Sequence, residues 1–280
     1  MTIGQDRATF EETTAAAYDL ATSLALEAGA LLRSRINDQG EVVNKGLIDL
    51  VTDVDKASEA LISRRIRDTF PAHRLIGEEG AVGSSDTVDD QPFGWIVDPL
   101  DGTTNFAHGN PHFAVSIGLE YLGEPVVGAV YDPMRDELFA ARKGHGATLN
   151  GQPIHVSETS ELIRAMLASG FAYDLDFRAE QLAVWDHMSN RSQAVRRAGA
   201  AALDMCWVAA GRLDGYWERP TWAYDIGAGV IIVREAGGKV TDLEREEFDL
   251  WVPEVLASNG HLHAQMRAVI DEAYATRVRV

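Results

Sequence analysis

The sequence is poor in cysteine, proline and basic residues, and it has no long apolar run. Each shortage removes a class of function. The single cysteine, Cys206, rules out a disulfide within the chain. It lies in "LDMCWVAAG", an apolar setting that predicts a small core filler rather than a catalytic thiol. Only 9 prolines in 280 residues, with 46% hydrophobic content, describe a folded chain long enough for one large domain or two modest ones with a full core. No stretch approaches the length of a membrane-spanning helix, and "MTIGQDRATFEETT" has neither the basic start nor the apolar stretch of a signal peptide. A cytoplasmic protein without a membrane partner is expected. Basic side chains number 25 against 43 acidic ones, a net charge of -18, which opposes non-specific binding to nucleic acid and favours cations. No direct nucleic-acid contact is expected, although most of these acids serve equally well as solubility or high-salt features. Basic runs, low-complexity tracts and internal repeats are all missing.

What is present divides into two halves. Residues 11 to 36 read as a long amphipathic helix, with Leu20, Leu24, Ala28, Leu31 and Leu32 at helical spacing. A second helix is expected from Asp55 to Phe70, with Ile62, Ile66 and Phe70 on one face and Pro71 as its stop. "RLIGEEG" reads as a short strand entering a loop, "SSDTVDDQ" as a solvated excursion, and "WIVD" as the next strand. From Phe113 to Ala141, alternation broken by Gly-Glu-Pro and Asp-Pro turns predicts a three-stranded meander, which "KGHGATLNGQPIHVS" extends as a hairpin. The glycines there lack the Gly-x-Gly-x-x-Gly and Walker spacings of a nucleotide cradle. After about residue 155 strands and helices alternate: "MLASGFA", a helix near 178 to 190, "AVRRAG", a helix from Ala200 to Ala210, "GYWE", a helix from Ile226 to Ala236, then "GKVTD" and "VLASNG". An α+β half, residues 1 to 155, is thus followed by an α/β half, residues 156 to 280, within one catalytic unit.

Carboxylates recur where backbone punctuation should dominate. They are Asp49 and Asp55 in "DLVTDVD", Glu78 and Glu79 in "GEEG", Asp98 and Asp101 in "WIVDPLDGTTNF", and Asp225 in "WAYDIGAG". Each has an ordinary explanation: Thr52 to Asp55 fits a capping box, Asp225 an N-cap, Asp101-Gly102 a turn. Together they suggest a common edge, because three sit at the exits of short apolar strands. Donors that are all oxygen, without histidine or cysteine, favour a hard cation such as magnesium over zinc. Pro99 removes an N-H between the two aspartates, leaving the Leu100 carbonyl to face a metal. Gly102, Thr103 and Thr104 then offer backbone amides to a phosphate oxygen.

Those four strings, in order and approximate spacing over about residues 15 to 270, resemble the motifs of the inositol monophosphatase family of magnesium-dependent, lithium-sensitive phosphatases. The resemblance implies a layered α-β-α-β-α sandwich, a homodimer, and two to three Mg2+ ions per site. It assigns Glu78, Asp98 and the Leu100 carbonyl to one metal, Asp98, Asp101 and Asp225 to a second, and Asp55 to a third, weaker one. Thr103, supported by Asp55, would orient the attacking water, while the Gly102 and Thr103 amides receive the phosphate. Glu218 in "GYWERP" and Ala201 in "RRAGAAALDM" fall where family members contact sugar or polyol hydroxyls; Ala201 also suits plain helix packing. Lys45 and Asp49 would shape a loop near the metals. One departure concerns the substrate wall: the family often has tryptophan directly before the last aspartate, and this chain has Tyr224 there with Trp222 two positions earlier. An inositol-1-phosphate-like polyol is the expected small-molecule substrate, with histidinol phosphate, other sugar phosphates and fructose bisphosphate as alternatives on nearly the same metal motifs. Two other classes stay open: a regulatory protein of RNA metabolism on this scaffold, and a purely structural cation site.

Overall fold

A computed structural model describes residues 3–38, 42–44, 50–78, 91–171 and 175–277. The expected "GEEG" loop past Glu78, the "SSDTVDDQ" excursion up to Asp90, and Lys45 and Asp49 lie outside the described residues.

Two long helices, a short one, a two-stranded ribbon and a seven-stranded sheet make the first half. Helix α1 spans Ile3–Arg35 and α2 spans Asp53–Thr69. Thr52 caps α2 through the expected box: its hydroxyl accepts from the Asp55 N-H, and the Asp55 carboxylate accepts from the Thr52 N-H. Two short strands, β1 (Val42–Asn44) and β2 (Leu50–Thr52), pair antiparallel before α2. The main sheet then runs β3 (Arg74–Gly77), β4 (Phe93–Asp101), β5 (Ala114–Tyr121), β6 (Glu124–Asp132), β7 (Glu137–Arg142), β8 (Ala147–Leu149) and β9 (Gln152–Pro153) in chain order. Only the β3–β4 pair is parallel. The expected meander and hairpin are therefore present, and a five-residue helix α3, Thr103–Ala107, follows β4 directly.

The second half carries a five-stranded mixed sheet in the order β11-β10-β12-β14-β13. Its strands are β10 (Met166–Ser169), β11 (Ala194–Arg196), β12 (Gly215–Glu218), β13 (Lys239–Thr241) and β14 (Val255–Ser258). The helices between and after them are α4 (Leu175–Ser189), α5 (Ala201–Ala209), α6 (Ala223–Glu235) and α7 (His263–Arg277). Several helices differ from the sequence expectation: α1 begins at Ile3 instead of residue 11, and α4 at Leu175 instead of about 178. Helix α6 begins three residues earlier than Ile226, because Asp225 at its third position reaches back to the Trp222 amide and so caps it from inside. Helix α7 was not expected beyond "VLASNG".

Five layers result. Helices α1 and α2 cover the outer face of the seven-stranded sheet with Leu24, Leu32, Ile62 and Ile66 against Trp95, Ile117 and Val127. Helices α5 and α6 lie between the two sheets, bringing Leu203, Val230 and Ile231 against Ile96, Val130 and Tyr216. Helices α4 and α7 close the far face with Val184, Met188, Met266 and Ile270. This is the α-β-α-β-α sandwich. Each large aliphatic chain removed from water here contributes on the order of 1.5–3 kcal/mol. Cys206 is fully buried in the central layer, as expected of a filler. Among the described residues no helix is long and apolar enough to cross a membrane.

Candidate active site

The site begins with the end of β4. Residues 93 to 98 pair with β5 in simple antiparallel register, and the register then shifts between Asp98 and Asp101. Pro99 and the shift end regular pairing without ending the strand, so both aspartates come out buried at one sheet end. The Asp98 Oδ1 accepts from the Leu100 N-H at 3.0 Å. Glu78, just past β3, is drawn to the same place by its own N-H, which donates to the Val97 carbonyl at 3.2 Å.

Gly102 then turns the chain with φ 93°, a left-handed conformation. A Cβ there would also stand 3.0 Å from the His112 carbonyl, so the glycine is needed for both shape and room. Thr103 opens α3, and its Oγ1 lies 3.0 Å from Asp55 Oδ1 and 3.0 Å from the Leu100 carbonyl. Its one proton serves either acceptor. The Leu100 carbonyl is thus shared with a hydroxyl, where removal of the Pro99 N-H had suggested a free one; its second lone pair remains for another partner. The Pro99 carbonyl is taken by Ser58 Oγ at 2.9 Å.

The second half completes the wall through helix starts. Asp101 crosses to α5, its two oxygens accepting from the Ala201 N-H at 3.1 Å and the Ala202 N-H at 2.8 Å. A carboxylate at a helix N-terminus satisfies donors that have no partner in the helix and complements the dipole. Asp101 therefore does more than turn the chain. The Asn105 amide adds a strut between the halves, donating to the carbonyls of His112 at 2.8 Å and Ala198 at 2.9 Å. Asp225 accepts from the Trp222 N-H at 2.7 Å and from Thr221 Oγ1 at 3.2 Å. On β12, Glu218 accepts from the Tyr216 hydroxyl. The Glu218 carboxylate also lies so close to Gly170 that any side chain there would displace it.

Glu78, Asp98, Leu100, Asp101, Gly102, Thr103, Ala201, Glu218 and Asp225 border one cavity of about 300 Å³. Asp55 stands behind Thr103 instead of on the lining. Ala201 borders the cavity, and its amide holds Asp101, a role the sequence did not suggest. Sequence reasoning missed Asp204, Arg197, Phe171 and Tyr216, which border the same cavity. Only Asp204 gave a signal, as an acid within the apolar run "AALDMCWVA".

Electrostatics make the wall expectant of a cation. Burial pushes the Asp98 carboxyl well above the usual range, and the charges of Glu78, Asp101 and Asp225 push it further. Burial likewise raises Asp225, opposed by the Trp222 amide and reinforced by Asp101 and Glu78. Burial lifts Glu218 to about 7, with the Tyr216 hydroxyl pulling the other way. A divalent cation among these groups offsets both desolvation and repulsion. The donors fit a hard ion: carboxylates and one carbonyl, with neither histidine nor cysteine on the lining. The acids border an open cavity without closing into a shell, and among the described residues no three His, Cys, Asp or Glu groups stand at ligand spacing. An open magnesium site completes its coordination with water and substrate, so these acids need not close into a shell on their own.

Known proteins share this architecture. The model of the inositol monophosphatase family matches residues 11–275. An inositol-1-monophosphatase of Synechocystis sp. is 44% identical over 254 residues, covering 89% of this chain and 86% of the relative. The Nus factor SuhB of Pasteurella multocida is 41% identical over 236 residues, covering 84% and 85%. The solved structure of inositol monophosphatase from Anabaena (Nostoc) sp. superposes with a TM-score of 0.82 at 44% identity, covering 91% of this chain and 95% of that one. A carboxylate-walled cavity between two sheets and a family match over nearly the whole length lead to one conclusion: the chain belongs to the inositol monophosphatase family and is, like its members, a phosphoric monoester hydrolase.

Proposed function

We propose that the chain hydrolyses the phosphate monoester of a polyhydroxylated alcohol, inositol 1-phosphate above all, with Mg2+ held by Glu78, Asp98, the Leu100 carbonyl, Asp101 and Asp225. Glu78, Asp98, the Leu100 carbonyl, Asp101 and Asp225 would hold two such ions, and Asp55 would help hold a third, weaker one. The observation that supports the reading is the shared cavity, which sets Glu78, Asp98, Asp101 and Asp225 beside Thr103. Bound magnesium would acidify water and stabilise the charge developing on the leaving oxygen.

The chain's own residues supply alignment. Thr103 Oγ1, fixed by Asp55 at 3.0 Å, orients the attacking water toward phosphorus. Asp55 is buried and accepts from Thr52 on its other oxygen, so its Oδ1 stays turned to Thr103. The Gly102 and Thr103 amides receive phosphate oxygens. Glu218, steadied by Tyr216, takes a hydroxyl of the alcohol, and Ala201 keeps that wall narrow. Water adds to phosphorus as the ester oxygen leaves, giving free alcohol and inorganic phosphate without a covalent enzyme intermediate.

Phosphate release from a panel of inositol, histidinol, other sugar and fructose phosphates, with Mg2+ and with or without Li+, tests this. Release from the inositol ester that needs Mg2+ and falls with Li+ is expected; inactivity on the whole panel would refute the reading. The regulatory alternative keeps one observation in its favour, the relative named as a Nus factor. A homodimer is part of the proposal, and light scattering at a mass near 61 kDa, about twice the chain's 30.5 kDa, checks it.

A further inference from the structure

Trp222 is a part of the cavity wall that the hydrolytic reading leaves unused. It borders the same cavity as Asp98, Asp101 and Asp225, yet it is 57% exposed. Its backbone is nevertheless fixed. The Trp222 N-H donates to Asp225 Oδ2 at 2.7 Å, and the preceding Thr221 N-H donates to the Pro253 carbonyl at 3.1 Å. An indole on an anchored backbone at the cavity rim leaves its aromatic face available to whatever enters the cavity.

The rest of the cavity says what would meet it. Glu218 and Asp204 add carboxyl groups, and Asp204 Oδ1 is buried without a hydrogen-bond partner among the described residues. An apolar platform and polar groups that border one cavity match a ring whose face is C-H and whose rim carries hydroxyls. A short linear polyol has the hydroxyls and lacks the face. We propose that Trp222 is a specificity-determining residue that packs against the ring face of the alcohol, so that cyclic esters are preferred over linear ones. The inference rests on the phosphatase reading above and adds the residue that selects the shape of the leaving group.

Steady-state hydrolysis of myo-inositol 1-phosphate and glycerol 2-phosphate by the full chain at saturating Mg2+ tests it, with wild type, Trp222→Ala and Trp222→Phe compared. Trp222→Ala should lower the ring-to-linear ratio of kcat/KM by about tenfold or more, chiefly through KM for the ring ester. Trp222→Phe should recover the ratio to within about threefold of wild type, since an aromatic face returns. An unchanged ratio, an equal loss on both esters, or a change carried by kcat alone would overturn the proposal; the first would leave Trp222 to a partner surface. Thermal unfolding run beside the kinetics separates a folding defect, because substitution of an exposed residue should leave the unfolding midpoint close to that of wild type. Wild type inactive on both esters rejects the phosphatase reading and this one together, whereas an active wild type with an unaltered ratio rejects this one alone.

Discussion

The two sheets meet at the cavity by different means. The seven-stranded sheet supplies Asp98 and Asp101 from a single strand, whose register shift sets both acids at one end. The five-stranded half supplies its groups from separate elements: Ala201 and Asp204 from α5, Glu218 from β12, and Trp222 and Asp225 from the start of α6. One side is thus a compact motif fixed by strand geometry, and the other is an assembly fixed by packing. In the proposed reading this separates hydrolysis, carried by the strand end and Thr103, from recognition of the alcohol, carried mostly by the second half.

The largest expected effect strikes the first side. Asp98→Asn keeps the size of the side chain and its bond to the Leu100 amide while removing a charge at the centre of the wall. Turnover at saturating Mg2+ should fall by about 10³-fold with little change in the unfolding midpoint. Retention of more than about a tenth of the wild-type rate would break the assignment of hydrolysis to the strand end.

A middle-sized effect concerns stability in the second half. His263 is buried between Thr241 Oγ1 at 3.0 Å and Ser258 Oγ at 2.9 Å. Burial, then the charges of Lys239 and Arg267, lower its pKa from 6.5 to about 4. The unfolded chain takes up this proton as pH falls through 6.5, while the folded chain resists until about pH 4. The contribution is present in full above pH 6.5 and lost on acidification across that window. Denaturant unfolding of wild type and His263→Gln should therefore show a difference that shrinks by about 2 kcal/mol from neutral pH to pH 4, after allowance for screening. A difference independent of pH would show that the ring takes up its proton in the fold over the same pH range as in the unfolded chain, against the lowered pKa.

The smallest expected effect sharpens the split between the sides. Gly170→Ala puts a methyl where the Glu218 carboxylate lies, so that carboxylate must move. The kcat/KM for the inositol ester should drop about tenfold, with KM rising more than kcat falls. A fall in kcat alone would place Glu218 on the hydrolytic side of the comparison.

How much was legible in the sequence follows the same division. The capping box at Thr52 and Asp55, the strand before Asp98 and the meander after Phe113 are local patterns, and each is present where the residues suggested. The layered fold came from the family resemblance, which the architecture bears out. Asp101 as the cap of α5 was not legible, because its partners are 100 and 101 positions away. Asp225 looked like a helix cap and is the third residue of its helix, a distinction that turns on how far the Trp222 backbone is extended. Arg197, Phe171 and Tyr216 carry no mark in the sequence that separates them from ordinary strand and loop residues; only the meeting of the two sheets gives them a role. Asp204 was the exception that could have been noticed, an acid in an apolar helix with no polar neighbour in sequence to explain it.

The central claim is that acids from both sides grip divalent ions beside the bond to be broken. A crystal structure with Mn2+ in place of Mg2+, located by its anomalous scattering, addresses this without reference to turnover. The account predicts at least two peaks within roughly 2.0–2.6 Å of oxygens of Glu78, Asp98, Asp101 and Asp225, with Asp98 touching both. Crystals grown in saturating Mn2+ with no peak against these carboxylates, or with a single ion held by the first side alone, would contradict it.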